Sequence, residues 1–152
     1  MPTYLCGAGI LAIPRETSTE NANPEIRIFI KLASSEEEFI TRIKKKIKKI
    51  FPKESWVIKT LVQKFTSEEI KKIYKEMQEK LFFFAFLVMP INIKKSPTIH
   101  CCFVFEPSLK KAKKTAQDSF LYCLSSFEST VAMHIQEVPR EIIEEILSPH
   151  LH

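Results

Sequence analysis

Three adjacent residues, His100, Cys101 and Cys102, are the most chemically suggestive in this sequence. A thiolate beside an imidazole is the arrangement of a cysteine nucleophile or of a soft-metal ligand set. The aromatic and β-branched run from Ile99 to Phe105 predicts a strand, and neighbours on a strand point to opposite faces. His100 and Cys102 therefore share one side and Cys101 takes the other. That leaves a His-x-Cys pair, beside the plainer reading of buried thiols that only pack. His134 completes the candidate pocket or metal residues: it lies with Gln136 on one face of a strand over 130–138, with Glu137 on the other. A surface histidine is its plainer reading. His150 and His152 sit at the C-terminal end, where fraying works against a preorganised metal site.

The second candidate is electrostatic. Arg42, Lys44, Lys45, Lys46, Lys48, Lys49 and Lys53 crowd one segment, and several cations on one helix release counterions from a polyanion. Arg42, Lys45, Lys46 and Lys49 are the candidate anion-binding residues. The competing reading is a solvated helix face, because lysines gather at helix C-termini for dipole reasons and no exposed aromatics interleave with the stripe. The same competing reading is extended to Lys110, Lys111, Lys113 and Lys114. Lys and Arg outnumber Asp and Glu by 23 to 18, an excess that suits nucleic acid, acidic partners or anionic surfaces without selecting among them. Gly7-x-Gly9 lacks the third glycine and the following helix of a dinucleotide-binding turn.

The elements that must position these residues follow from periodicity. Tyr4–Ile13 is an apolar strand between prolines, and Ile26, Ile28, Ile30 and Leu32 alternate as a second strand with one face against the core. Ser35 with Glu38 forms a capping box ahead of Phe39, Ile40, Ile43, Ile47, Ile50 and Phe51 at helical spacing, so a helix of about four turns ends at Pro52. Over 56–65, Val57, Ile58, Leu61, Val62 and Phe65 fit a 3.6 period at least as well as alternation, and an apolar helix is expected, with a strand as the alternative. Thr66 and Glu69 open a helix carrying Ile70, Ile73, Tyr74 and Met77. Leu81–Val88 and Ile99–Phe105 form paired antiparallel strands. Ser108 then opens a helix with Leu109, Ala112, Ala116, Phe120, Cys123 and Leu124 on one face. A strand with Val131, Met133 and Ile135 inward and a short helix from Pro139, with Ile142, Ile143, Ile146 and Leu147, complete the order.

No internal repeat shows in the residues, and no linker divides the chain. The expected fold is one α+β domain over 1–152, with a mostly antiparallel sheet and four or five helices. At 152 residues with 45% hydrophobic content and 2 Gly against 9 Pro, the chain can build one core unaided, and the composition argues against disorder, collagen-like repeats and a many-turned sandwich. Pro90 and Asn92 interrupt the apolar run Leu81–Ile93, which is too short to span a bilayer as a helix. The four cysteines, at 6, 101, 102 and 123, offer no C-x-x-C spacing. No secretory leader pattern precedes Cys6, so reduced thiols and a cytoplasmic location are expected.

The stretches Tyr4-Leu-Cys-Gly-Ala-Gly-Ile-Leu-Ala-Ile-Pro14 and His100-Cys-Cys-Phe-Val-Phe-Glu-Pro107, with the overall length, resemble small chlamydial proteins proposed as divalent-cation-dependent transcription repressors. The resemblance implies a fold similar to the non-haem iron, 2-oxoglutarate-dependent oxygenases, related to the double-stranded β-helix. It further implies Fe(II) and 2-oxoglutarate, held by a His-x-Asp/Glu pair and a distant His. His134-Ile135-Gln136 puts an amide where that carboxylate belongs, and His100-Cys101-Cys102 puts a thiol there. The expected function is accordingly a divergent, non-catalytic oxygenase-like domain that binds a small ligand or a protein partner. A metal-dependent DNA-binding regulator and a cysteine-based enzyme at Cys101 or Cys102 are the alternatives, and the oligomeric state is left open.

Overall fold

A computed structural model describes residues 3–14, 24–51, 56–76, 80–90, 97–123 and 128–147. In chain order these are β1 (Tyr4–Pro14), β2 (Glu25–Ala33), α1 (Glu36–Ile50), β3 (Trp56–Thr66), α2 (Ser67–Glu76), β4 (Lys80–Pro90), β5 (Thr98–Glu106), α3 (Leu109–Cys123), β6 (Glu128–Glu137) and α4 (Arg140–Leu147). The strands form two antiparallel three-stranded sheets, ordered β2-β1-β3 and β5-β4-β6. The α+β expectation holds. The strands are divided between two sheets instead of forming one, and four helices are present among the described residues.

The expected helix over 56–65 is a strand. Leu61 and Phe65 pack into the core between the sheets, whereas Ile58 and Val62 pack with the residues under α1. Both faces of β3 meet apolar neighbours, and the union of two interleaved alternating sets, 58 and 62 with 61 and 65, reproduces the i, i+3, i+4, i+7 spacing of a helix.

The sheets lie face to face. Leu5 and Leu11 of β1 join Leu81, Phe83, Ala85 and Leu87 of β4 in one buried cluster. The intervening residues of each central strand face outward: Cys6, Ala8, Ile10 and Ala12 meet Phe39, Ile43 and Ile47 of α1, while Phe84, Phe86 and Val88 meet Ala116 of α3. Both α2 and α4 cover one end of the sandwich, contributing Ile70, Ile143 and Ile146 to the inter-sheet core. In α3, Leu109 is 45% exposed, and Phe120, Cys123 and Leu124 fall outside the described side chains, as does Val131 in β6.

The element order strand, strand, helix, strand, helix occurs twice, over 4–76 and 80–147. In both halves the first strand is central, the leading strands have 11 and 9 residues and the first helix has 15. Ser35 caps α1 by accepting from the Glu38 amide at 3.1 Å, and Ser108 caps α3 by accepting from the Lys111 amide at 3.3 Å. The fold is duplicated although the sequence shows no repeat, because the halves divide core volume in opposite ways. Small residues on β1 accept large ones from α1, whereas large residues on β4 accept alanines from α3. Packing conserves total volume at each layer, not residue identity.

Candidate functional site

Strand pairing decides whether the histidines and cysteines converge. His100 is paired with Phe86 and Cys102 with Phe84, so both lie on the α3 side of the second sheet. The His100 ring stacks on Phe86 at 5.2 Å. His134 is paired with Ala85, whose side chain faces the other sheet, and it lines the gap between β2 and β6. His100 and Cys102 on one side and His134 on the other are thus separated by the sheet itself. No group of three or more His, Cys, Asp or Glu side chains is placed to hold a metal among the described residues. His150 and His152 lie outside them. The described residues do not fit an iron centre: the two histidines face opposite ways, and Gln136 stands where a carboxylate ligand belongs.

The thiols divide by environment. Burial pushes the Cys6 thiol up to about 11, with nearby Glu36 adding to the shift, and burial likewise pushes Cys101 up to about 11. Cys101 Sγ donates to the Leu61 carbonyl at 3.4 Å, tying β5 to β3. Both are packing groups of low nucleophilicity. Cys102 is exposed, and its thiol donates to the Phe103 carbonyl at 3.2 Å.

The lysine segment gives a different result. Ser35 and the first-turn acids Glu36, Glu37 and Glu38 set the start of α1, and burial of Phe39, Ile43 and Ile47 fixes its rotation on the sheet. That rotation carries Arg42, Lys45 and Lys46 to the flank beside β2. There, with Phe29 and Lys31 of β2 and with Phe39 and Ile43, they line a cavity of about 390 Å³. Lys46 Nζ lies over the Phe29 ring, 5.3 Å from its centroid. Arg42 donates to Glu38 at 2.6 Å and to the Leu32 carbonyl at 3.2 Å. Lys49 is exposed further along α1 and does not line the cavity. Lys53 lies outside the described residues. The sequence offered no aromatic beside these cations because Phe29 comes from another element; its place in the outward-facing set of β2 is the signal that could have found it.

Equivalent positions in the second half lack this chemistry. Counted from the hairpin ends and the two serine caps, Phe29, Lys31, Arg42, Lys45 and Lys46 correspond to Cys102, Val104, Thr115, Asp118 and Ser119. A strand-helix pair of the same topology therefore forms without any of these cations. Lys110, Lys111, Lys113 and Lys114 stand near the start of α3, where no acidic residue occupies the first turn. The dipole explanation offered for them fails, since cations are favoured at the opposite end of a helix.

A second cavity, of about 500 Å³, opens between β2 and β6 and is lined by Ile26, Arg27, Ile28, His134 and Gln136 among others. It lies beside the first half of β2, next to the α1 groove along the strand. Among the described residues no helix is long and apolar enough to cross a membrane. Compared with family models, curated proteins and solved structures, the chain matches none.

Proposed function

We propose that this chain is a non-catalytic binding domain and that its ligand is an anion carrying an apolar group, held in the groove between α1 and β2. The observation that carries this reading is the composition of the groove. Phe29, Phe39 and Ile43 form an apolar floor, and Lys31, Arg42, Lys45 and Lys46 stand around it. An apolar group on the floor gains roughly 25 cal/mol per Å² of area removed from water. The rim cations then orient its charge and speed its arrival. Arg42 is partly neutralised by Glu38, whereas Lys31, Lys45 and Lys46 show no ion pair with a described carboxylate.

Titration of the ¹⁵N-labelled protein with anilinonaphthalene sulfonate, an aromatic system bearing one sulfonate, tests this. Amide shifts are expected at Phe29, Lys31, Arg42, Lys45 and Lys46, with at least about ten-fold weaker binding in the Lys45→Glu, Lys46→Glu double variant. Shifts confined to other elements, or unchanged affinity in the double variant, would overturn the proposal.

A further inference from the structure

The groove lies beside a strand that, among the described residues, has a neighbour on one side only. In the order β2-β1-β3, β2 is an edge strand, and β1 occupies its inner side. A free edge offers unpaired N–H and C=O groups to an added chain. The groove is lined by α1 and β2 with no contribution from β1, which places it toward that edge. At the C-terminal end of β2, the Leu32 carbonyl already accepts a donor from outside the sheet, Arg42 Nη1.

Two cavities follow one another along β2. Phe29 and Lys31 line the groove under α1, and Glu25, Ile26, Arg27 and Ile28, nearer the start of β2, line the gap toward β6. A strand laid beside β2 sends successive side chains to opposite faces, so one set would turn toward the α1 groove, and the strand would run on past the β2–β6 gap. Two cavities in succession along one strand match the length of an extended peptide, which a compact ligand does not use.

Charge decides which peptide. The α1 groove presents Lys31, Arg42, Lys45 and Lys46, and the chain carries a net charge of +5. Pairing of β2 with β2 of a second copy centred on Phe29 would set the exposed Arg27 of one against Lys31 of the other, a like-charge arrangement that disfavours that register. We infer that the free edge of β2 takes up an extended acidic segment of a partner protein as a fourth strand, seating an apolar side chain on the floor formed by Phe29, Phe39 and Ile43. This rests on the binding-domain reading above and adds to it the class of partner.

The test uses fluorescence anisotropy with the whole chain and a labelled peptide of glutamates around one central leucine. Saturable binding is expected, weakened at least about ten-fold when the leucine becomes glycine and in the Lys45→Glu, Lys46→Glu variant. Strand addition turns alternate peptide N–H groups toward β2 and the others away. N-methylation of one alternate set should therefore abolish binding while methylation of the other set leaves it intact. Equal binding by both methylated peptides would overturn strand addition. So would a dimer of the chain lost on changes to β2, or uptake of a thymidine oligonucleotide or an anionic phospholipid vesicle in place of the peptide. If the peptide fails while anilinonaphthalene sulfonate still maps to the groove, the inference falls and the binding-domain reading stands; if both fail, both fall.

Discussion

Gly7 faces the Phe83 and Phe103 rings of the second sheet, and replacing it with alanine should destabilise the protein. A Cβ at Gly7 would lie 2.6 Å and 2.7 Å from two ring atoms of Phe83 and 2.9 Å from Cζ of Phe103. Ordinary carbon–carbon contact is about 3.5–4.0 Å, so something must move by about 1 Å. The rings have little room to do so: Phe83 is fully buried, its ring packs edge-on to Phe103 at 4.7 Å, and Phe103 in turn meets Phe65 at 5.3 Å. Overpacking of this kind costs about 1–3 kcal/mol. Loss of glycine's freedom in the unfolded chain works the other way by about 0.4–1 kcal/mol. The expected net effect is a loss of about 1–2 kcal/mol, or about 2–8 °C in Tm for a chain of this size. Urea unfolding followed by circular dichroism should show a lower midpoint at unchanged slope. Gly9→Ala, whose Cβ would meet Ala85 and Ile99 at 3.1 Å, should cost less. In a Phe83→Leu background the Gly7→Ala cost should shrink. A Gly7→Ala protein as stable as the parent would refute the argument that close sheet packing requires this glycine.

Other expectations follow from the same contacts. Site-resolved alkylation near pH 8 should label Cys102 well before Cys6 or Cys101, whose buried thiols are pushed up to about 11; faster labelling of Cys101 would contradict its placement between the sheets. Ser35→Ala removes the cap of α1 and should cost about 1 kcal/mol in denaturant unfolding. The Glu38 carboxyl is held below the ordinary glutamate range, first by hydrogen bonds from the Ser34 side chain and backbone. Its folded-state value is depressed, so its contribution to stability is present above the ordinary glutamate range and is lost as pH falls through the folded value. Glu38→Gln should flatten that acid limb, and an unchanged limb would refute the linkage.

Much of the fold was legible in local pattern. The alternation of β2 is plain because its two faces meet different surroundings, with Ile26 and Ile30 between the sheets and Arg27 and Lys31 exposed. Capping serines and apolar stripes placed α1 and α3 correctly. The pattern misled at β3, where apolar residues on both faces merge into a helical spacing. Duplication stayed hidden because the halves exchange large and small residues across each layer. For the site, parity along β5 correctly separated Cys101 from His100 and Cys102, but the relation of His100 to His134 depends on how β5 and β6 pair with β4. The cations of α1 were visible as a run. Their meaning changed only when β2 supplied Phe29 and Lys31 from more than ten residues away in sequence, a juxtaposition no local period encodes.

If the groove between α1 and β2 takes up an apolar group attached to negative charge, that group must touch Phe29 and Ile43. The most direct test is isotope-filtered NMR of the protein with the acidic peptide bearing one central leucine. Nuclear Overhauser contacts from the leucine methyls to the Phe29 ring and the Ile43 methyls are the predicted result. Contacts confined to other surfaces, or none at saturating peptide, would contradict the account.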